Sequence, residues 1–189
     1  IERLPAKVFK LLRNNRLMKV RISGDAFGVM LASSIEVYKK EAFGFLIGRQ
    51  HNGGLVIDNA VPSQSAERGF TEVSLNDRTN QLRDILSRLG TNGSRVIGDY
   101  HTHPDWGKNQ YKTVASESDL LRMRKDDGLV YLIIAISDKK RGRPWHYRSD
   151  GGLAGSFDNY WFEIAAYYRN SCEQFNKGRL VCPSATLRK

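Results

Sequence analysis

The run Leu129-Val130-Tyr131-Leu132-Ile133-Ile134-Ala135-Ile136-Ser137, entered through Gly128, constrains this chain more than any other stretch. Apolar residues occupy both alternating positions, so as a strand it is apolar on both faces and belongs at the centre of a sheet that is covered above and below. At nine residues it is far short of the roughly 20 needed to cross a bilayer, and no other stretch comes closer. The chain is therefore expected to build a layered α/β domain.

The flanking pattern supplies the other layers. Val8, Leu11 and Leu12, with Pro5 near the start, predict a short helix over 7–15. Met18 to Ile22 is expected as a strand. Ser23 then caps a helix whose stripe Phe27, Met30, Leu31, Ile35 and Tyr38 extends to Lys40. A strand follows from Glu41, interrupted by Gly44, a residue that within a strand marks close approach of another group. Gly53-Gly54 turns the chain into a strand over 55–61, then loop to Gly69 and a further strand over 70–75. Asn76 or Asp77 caps a helix with Leu82, Ile85, Leu86 and Leu89 facing the core, stopped at Gly90. Beyond the central run, Asn159 to Arg169 is expected to pair as a strand, while 170–189 carry little pattern and are expected, as a tail, to wrap the surface or pack at a partner.

The segment Gly98-Asp99-Tyr100-His101-Thr102-His103-Pro104 carries the chemistry. In a strand, His101 and His103 point to one face, so two imidazole nitrogens can share a metal, and Pro104 ends the strand. Asp119 offers a third ligand and leaves the fourth tetrahedral position to water, which suits a catalytic zinc. Ser116-Glu117-Ser118-Asp119 before an apolar run is also a capping box, and both roles are compatible. His51 and His146 have no ligand partner at short spacing and are assigned to surface or pairing roles.

Well upstream stands Glu41-Ala42-Phe43-Gly44-Phe45-Leu46-Ile47-Gly48. Together, the Glu-x-x-Gly-x-Leu-x-Gly segment, His-Thr-His-Pro and Ser-x-x-Asp resemble the JAMM (MPN+) zinc metalloproteases, a family that includes deubiquitinase-like isopeptidases of the proteasome-lid type. The resemblance covers about residues 15–137. It implies an α/β MPN fold, a mixed, curved β-sheet with helices packed on its faces, and the length of the chain extends this reading to a single domain over 1–169 with a tail over 170–189. It implies Zn2+ held by His101, His103 and Asp119, with Glu41 as general base and Ser116 as donor to the substrate oxyanion. Zinc lowers the pKa of its water to about 7, and a nearby carboxylate takes the proton and passes it to the leaving amine. The implied substrate is a ubiquitin-like protein conjugate, and a second MPN subunit or a homodimer is the implied partner. Fifteen residues separate His103 from Asp119, more than the family commonly has, so Asp105 to Ala115 form a longer loop beside the metal. Trp106 in that loop is either a grip for an extended peptide or an anchor for the loop.

Composition bears on the alternatives. The chain has 189 residues, 40% of them hydrophobic, enough for one sizeable core. It begins at Ile1, which marks a trimmed piece, so localisation rests on the cysteines. Cys172 and Cys182 make no disulfide framework, which fits a cytoplasmic protein, although one bridge between them stays open. A net charge of +10 suits an acidic partner face, with Lys108 and Lys112 of the long loop as the expected steering residues. The densest basic run, residues 139–143, is expected as a solvated turn. No membrane association is expected, and nucleic acid is not expected as a partner, because no recognition motif accompanies the charge. Two other readings stand beside the isopeptidase: a JAMM peptidase acting on small conjugates or cell-wall peptides, and a non-catalytic MPN scaffold or nucleic-acid-binding module.

Overall fold

The central strand lies where its composition demands. In a computed structural model, which describes residues 17–64, 67–68, 73–74, 76–90, 93–106, 111–126, 128–139, 142–170 and 174–186, Val130–Ser137 (β7) is buried at every position. Val130, Leu132, Ile134 and Ile136 enter the main core, and Tyr131 and Ile133 a second cluster on the opposite face. Neighbouring strands are β1 (Lys19–Ile22), β2 (Phe43–His51), β3 (Gly54–Pro62) and β6 (Arg95–Pro104) before it, with β8 (His146–Tyr147), β9 (Leu153–Phe157), β10 (Tyr160–Arg169) and β11 (Phe175–Val181) after it. A separate ribbon pairs β4 (Glu67–Arg68) with β5 (Val73–Ser74). The stretch expected to be loop up to Gly69 thus contributes a strand, and of the strand expected over 70–75 only Val73–Ser74 falls among the described residues. The helix expected over 7–15 lies outside them.

The sheet order is β11-β1-β3-β2-β6-β7-β10-β9-β8, with β11 also paired to β10. One edge of β10 is shared: Tyr160–Ile164 pair with β9 and Ala166–Arg169 with β11. Through β11, which runs parallel to β1 with Lys19 opposite Arg179, the curved sheet closes on itself. This corrects the expectation for 170–189. Its apolar content is thin, but Leu180 is fully buried and Gly178 lies within 3.2 Å of the Met18 carbonyl by its would-be β-carbon, so the strand is recruited by non-local pairing rather than by its own pattern.

Helix α1 (Gly24–Glu36) covers one face with Ala26, Phe27, Met30 and Leu31. Each fully buried large side chain contributes about 1.5–3 kcal/mol. Ser23 caps it, accepting from the Ala26 N–H at 3.0 Å, and donates to the Asp58 carbonyl at 2.6 Å, tying the helix start to β3. The helix ends at Glu36, before the expected Lys40. Lys39, at φ 85°, then reverses the chain towards β2. On the other face lie α2 (Asp77–Leu89), capped by Asn76, and α3 (Glu117–Lys125). Of the four apolar residues expected inward on α2, Leu82 and Leu86 pack against Phe43 and Phe45, whereas Ile85 and Leu89 face solvent, because the apolar strip beneath the helix is narrow. A short α4 (Pro183–Thr186) ends the described chain.

Strand β6 runs parallel to β7, with α3 in the crossover between them. The carboxyl end of β6 and the amino end of α3 therefore meet at one place, the usual position of a site in an α/β sheet. Gly98 permits the close pairing: a β-carbon there would stand 1.6 Å from the Val130 carbonyl oxygen. Gly44 fulfils its expected role, since a β-carbon there would meet the Tyr100 ring at 2.4 Å.

Candidate metal centre

Alternation along β6 turns Asp99, His101 and His103 to the face covered by α3, while Tyr100 and Thr102 turn to the α1 side. On α3, Asp119 and Arg122 are three residues apart and share a face. The two elements interlock as a polar ladder. Asp119 Oδ1 lies 2.9 Å from His101 Nε2, and Oδ2 lies 3.4 Å from His103 Nε2. The two Nε2 atoms are 3.2 Å apart. Below them Arg122 donates to His101 Nδ1 at 3.0 Å and to Asp99 Oδ2 at 2.7 Å. One ligand atom from each of His101, His103 and Asp119 falls within 4.8 Å of the others, the one such group among the described residues.

The capping box and the cluster share Asp119. The Ser116 hydroxyl accepts from the Asp119 N–H at 3.1 Å, and Asp119 Oδ2 accepts from the Ser116 N–H and hydroxyl, both at 2.7 Å. The carboxylate is thereby fixed in rotamer with Oδ1 turned to His101. Ser116 stands exposed at the mouth of the site, and its hydroxyl also contacts that of Ser118 at 2.9 Å.

Glu41 reaches the same place from the other side of the sheet order. Phe43 pairs with His101 across the antiparallel β2–β6 ladder, and the contacts continue one residue further: Ala42 N–H donates to Thr102 Oγ1 at 2.7 Å and Thr102 N–H to the Ala42 carbonyl at 3.0 Å. Glu41 then lies opposite His103. It is buried, and its charge acts on that ring.

Electrostatics separates the two histidines. Burial, helped by the Arg122 charge, pushes His101 down to about 4, so the ring is uncharged at neutrality and its contact with Asp119 is a hydrogen bond rather than an ion pair. Because guanidinium only donates, His101 Nδ1 accepts and Nε2 carries the ring hydrogen. Burial also presses on His103, but Asp119, the Lys112 carbonyl and Glu41 outweigh it and raise its value. Asp119 is buried too, yet the two imidazoles and Ser116 hold its carboxyl well below the usual range, and its place in the first turn of α3 acts in the same sense. Asp99 goes the other way: burial lifts it in spite of Arg122, and its Oδ1 has no hydrogen-bond partner among the described residues.

The donor set fits zinc. Two imidazole Nε2 atoms and one carboxylate from three separate positions are the ligands of an open catalytic zinc site, and they are softer than the all-oxygen shell that magnesium or calcium prefers. A cation here would be held by His101 Nε2, in place of the hydrogen now shared with Asp119, by His103 Nε2 and by Asp119.

The family model for prokaryotic homologs of the JAB domain matches residues 24–147. The chain belongs to that family. The match takes in α1 through β8, including every residue of the ladder, and β1 and β9–β11 lie outside it. Among solved structures, one of a Desulfitobacterium hafniense protein superposes with a TM-score of 0.55 at 19% identity, over 86% of this chain and 92% of that one. A JAB1/MPN domain protein from Archaeoglobus fulgidus gives a TM-score of 0.45 at 15% identity, over 85% and 98%. No curated protein matches.

The remaining expected residues fall as follows. His51 and His146 are exposed, bonded to Asn52 and to the Pro144 carbonyl. Trp106 is exposed, with Lys39 Nζ 4.0 Å from the centroid of its ring, so the loop's aromatic meets the turn that follows α1. Lys112 is exposed, while Lys108 and Cys172 lie outside the described residues; Cys182 is buried as a free thiol. Among the described residues no helix is long and apolar enough to cross a membrane. Sequence reasoning missed Arg122 and Asp99. Their signal was present: Arg122 is one helical turn beyond Asp119, and Asp99 is two residues before His101 on the same strand face.

Proposed function

We propose that this JAB-domain protein is a zinc-dependent metalloprotease of the JAMM type that hydrolyses the peptide or isopeptide bond at the C-terminus of a ubiquitin-like protein. The observation that carries the reading is the convergence of His101, His103 and Asp119 within 4.8 Å beside a buried Glu41. Zinc at this site would supply the Lewis acidity that activates a water and polarises the scissile carbonyl. Glu41 would take a proton from the attacking water and deliver it to the leaving amine, a task that suits a carboxylate held out of bulk water opposite His103. Ser116, exposed at the amino end of α3, would turn its one hydroxyl hydrogen from Asp119 Oδ2 to the oxyanion, while its N–H keeps hold of the carboxylate. Asp119, locked by the capping box, orients the imidazole pair.

The test has two arms. Purified, metal-repleted protein is expected to hold one zinc per chain by elemental analysis, and His103→Ala to lose it. Glu41→Gln is expected to keep the zinc and the fold and to lose cleavage of a panel of ubiquitin-like fusions. Substoichiometric zinc in the parent, or unimpaired binding by His103→Ala, refutes the metal assignment. Cleavage of a short cell-wall peptide with no fusion cut keeps the chemistry and replaces the substrate.

A further inference from the structure

The loop between His103 and Asp119 is longer than the motif requires, and the fold spends several contacts on holding it. At its leading end the Asp105 N–H donates to the Ile136 carbonyl at 2.8 Å. The Asp105 carboxylate accepts from Ser137 Oγ at 2.8 Å and Lys139 Nζ at 3.2 Å, and its carbonyl accepts from the Tyr38 hydroxyl at 3.3 Å. At its trailing end Thr113 is buried, and its carbonyl accepts from the hydroxyl of Tyr167, a residue of β10, at 2.8 Å. Between Tyr167 and the site, one residue before Thr113, lies the Lys112 carbonyl, 2.8 Å from His103 Nδ1.

We propose that this loop is a positioning element for His103, with Tyr167 as the positioning residue that acts through the Thr113 and Lys112 backbone. The inference rests on the zinc reading of the site. A carbonyl oxygen can only accept, so at 2.8 Å it requires His103 Nδ1 to carry the ring hydrogen. Nε2 then presents a lone pair rather than a hydrogen on the side it shares with His101 Nε2 and Asp119, as a metal ligand needs. The opposite tautomer would set two lone pairs against each other and cover the ligand nitrogen with a hydrogen. His101 gets no such help, because its Nδ1 meets the donor Arg122. The loop thus gives the pair its one preformed donor. Tyr167 is a rigid anchor: it pairs with Tyr131 of β7 and packs in the cluster with Met123, Ile133 and Ala165.

The experiment compares parent, Tyr167→Phe and Tyr147→Phe as full chains. Tyr147 also uses its hydroxyl in one backbone hydrogen bond, from the Cys182 N–H at 3.1 Å, and serves as the control for loss of a tyrosine hydroxyl outside the loop. In metal-free parent at alkaline pH, imidazole nitrogen NMR is expected to show His103 in the Nδ1–H tautomer. Tyr167→Phe is expected to lose that preference and to bind Zn2+, competed against a chromophoric chelator, about tenfold more weakly, while Tyr147→Phe matches the parent. The proposal is overturned if the parent holds the Nε2–H tautomer, if Tyr167→Phe keeps the parent's zinc affinity, or if Tyr147→Phe weakens zinc equally. Should Tyr167→Phe fail to fold, the parent tautomer decides alone. A parent that shows the tautomer and its loss in Tyr167→Phe yet takes up no Zn2+ supports the ring positioning and refutes the zinc reading instead.

Discussion

Arg122→Met strands a buried carboxylate. The methionine replaces a guanidinium whose carbon lies 5.5 Å from the centroid of the Phe43 ring, and it removes the cation from Asp99. That pair is well enclosed, with side chains 16% and 3% exposed. Breaking a buried pair from one side costs about 3–5 kcal/mol. The loss has a ceiling, because Asp99 escapes by binding a proton. For a group of ordinary pKa 3.8 that escape costs about 4 kcal/mol at pH 7, at about 1.4 kcal/mol per pH unit. Burial already lifts Asp99 above its ordinary value with Arg122 in place, so the parent bears part of this cost. The increment is expected at about 2–3 kcal/mol, or a fall in Tm of about 4–12 °C for a domain of this size. The sign with pH follows from the raised value. Between the unfolded and folded pKa the native state binds more protons, so stability falls as pH rises. The deficit of Arg122→Met is therefore smallest near pH 4 and widens towards neutrality. Urea unfolding of metal-free protein at several pH values measures it, alongside the double variant Asp99→Leu/Arg122→Met, which removes both charges and is expected to recover most of the loss. A deficit under about 1 kcal/mol, one equal at pH 5 and pH 8, or a double variant no better than the single would refute the account of the ladder as a coupled ion pair.

Ser116→Ala removes the N-cap of α3 as well as the proposed oxyanion donor, and it is expected to cost about 1 kcal/mol of stability together with about a hundredfold in turnover. Ser116→Gly is an N-cap that costs only a few tenths of a kcal/mol and carries no side-chain donor, so it separates the two: near-normal unfolding with slow hydrolysis is expected, and normal hydrolysis would remove the hydroxyl from the mechanism. Gly98→Ala sets a β-carbon 1.6 Å from the Val130 carbonyl oxygen, so β6 has to move off β7. The variant is expected to lose zinc binding and the cooperative unfolding transition together, and a stable, zinc-binding Gly98→Ala would show that the β6–β7 pairing does not set the histidines.

The candidate site was legible to the extent that its chemistry is local. His101 and His103 share a face because a strand alternates, Asp119 is fixed by a cap three residues upstream, and β7 declares its burial by having no polar face. Each of these follows from spacing of a few residues. Glu41 was placed only by the pattern of a family, since nothing local says that it will lie opposite His103; that position is set by the β2–β6 register. Ile85 and Leu89 showed the limit of periodicity, which locates an apolar stripe but not the width of the surface beneath it.

What only the tertiary structure decided is the work of long-range pairing. Residues 175–181 become a strand because β1 and β10 offer open edges on either side, and a segment's own pattern cannot reveal edges formed by residues far along the chain. The Lys112 carbonyl is invisible in sequence for a different reason: every residue has one, and only the anchoring of the loop by Tyr167 aims this one at His103. Arg122 and Asp99 fall between these cases. Their spacing placed them on the right faces of α3 and β6, but packing of the helix against the strand, which removes both charges from water, made them partners.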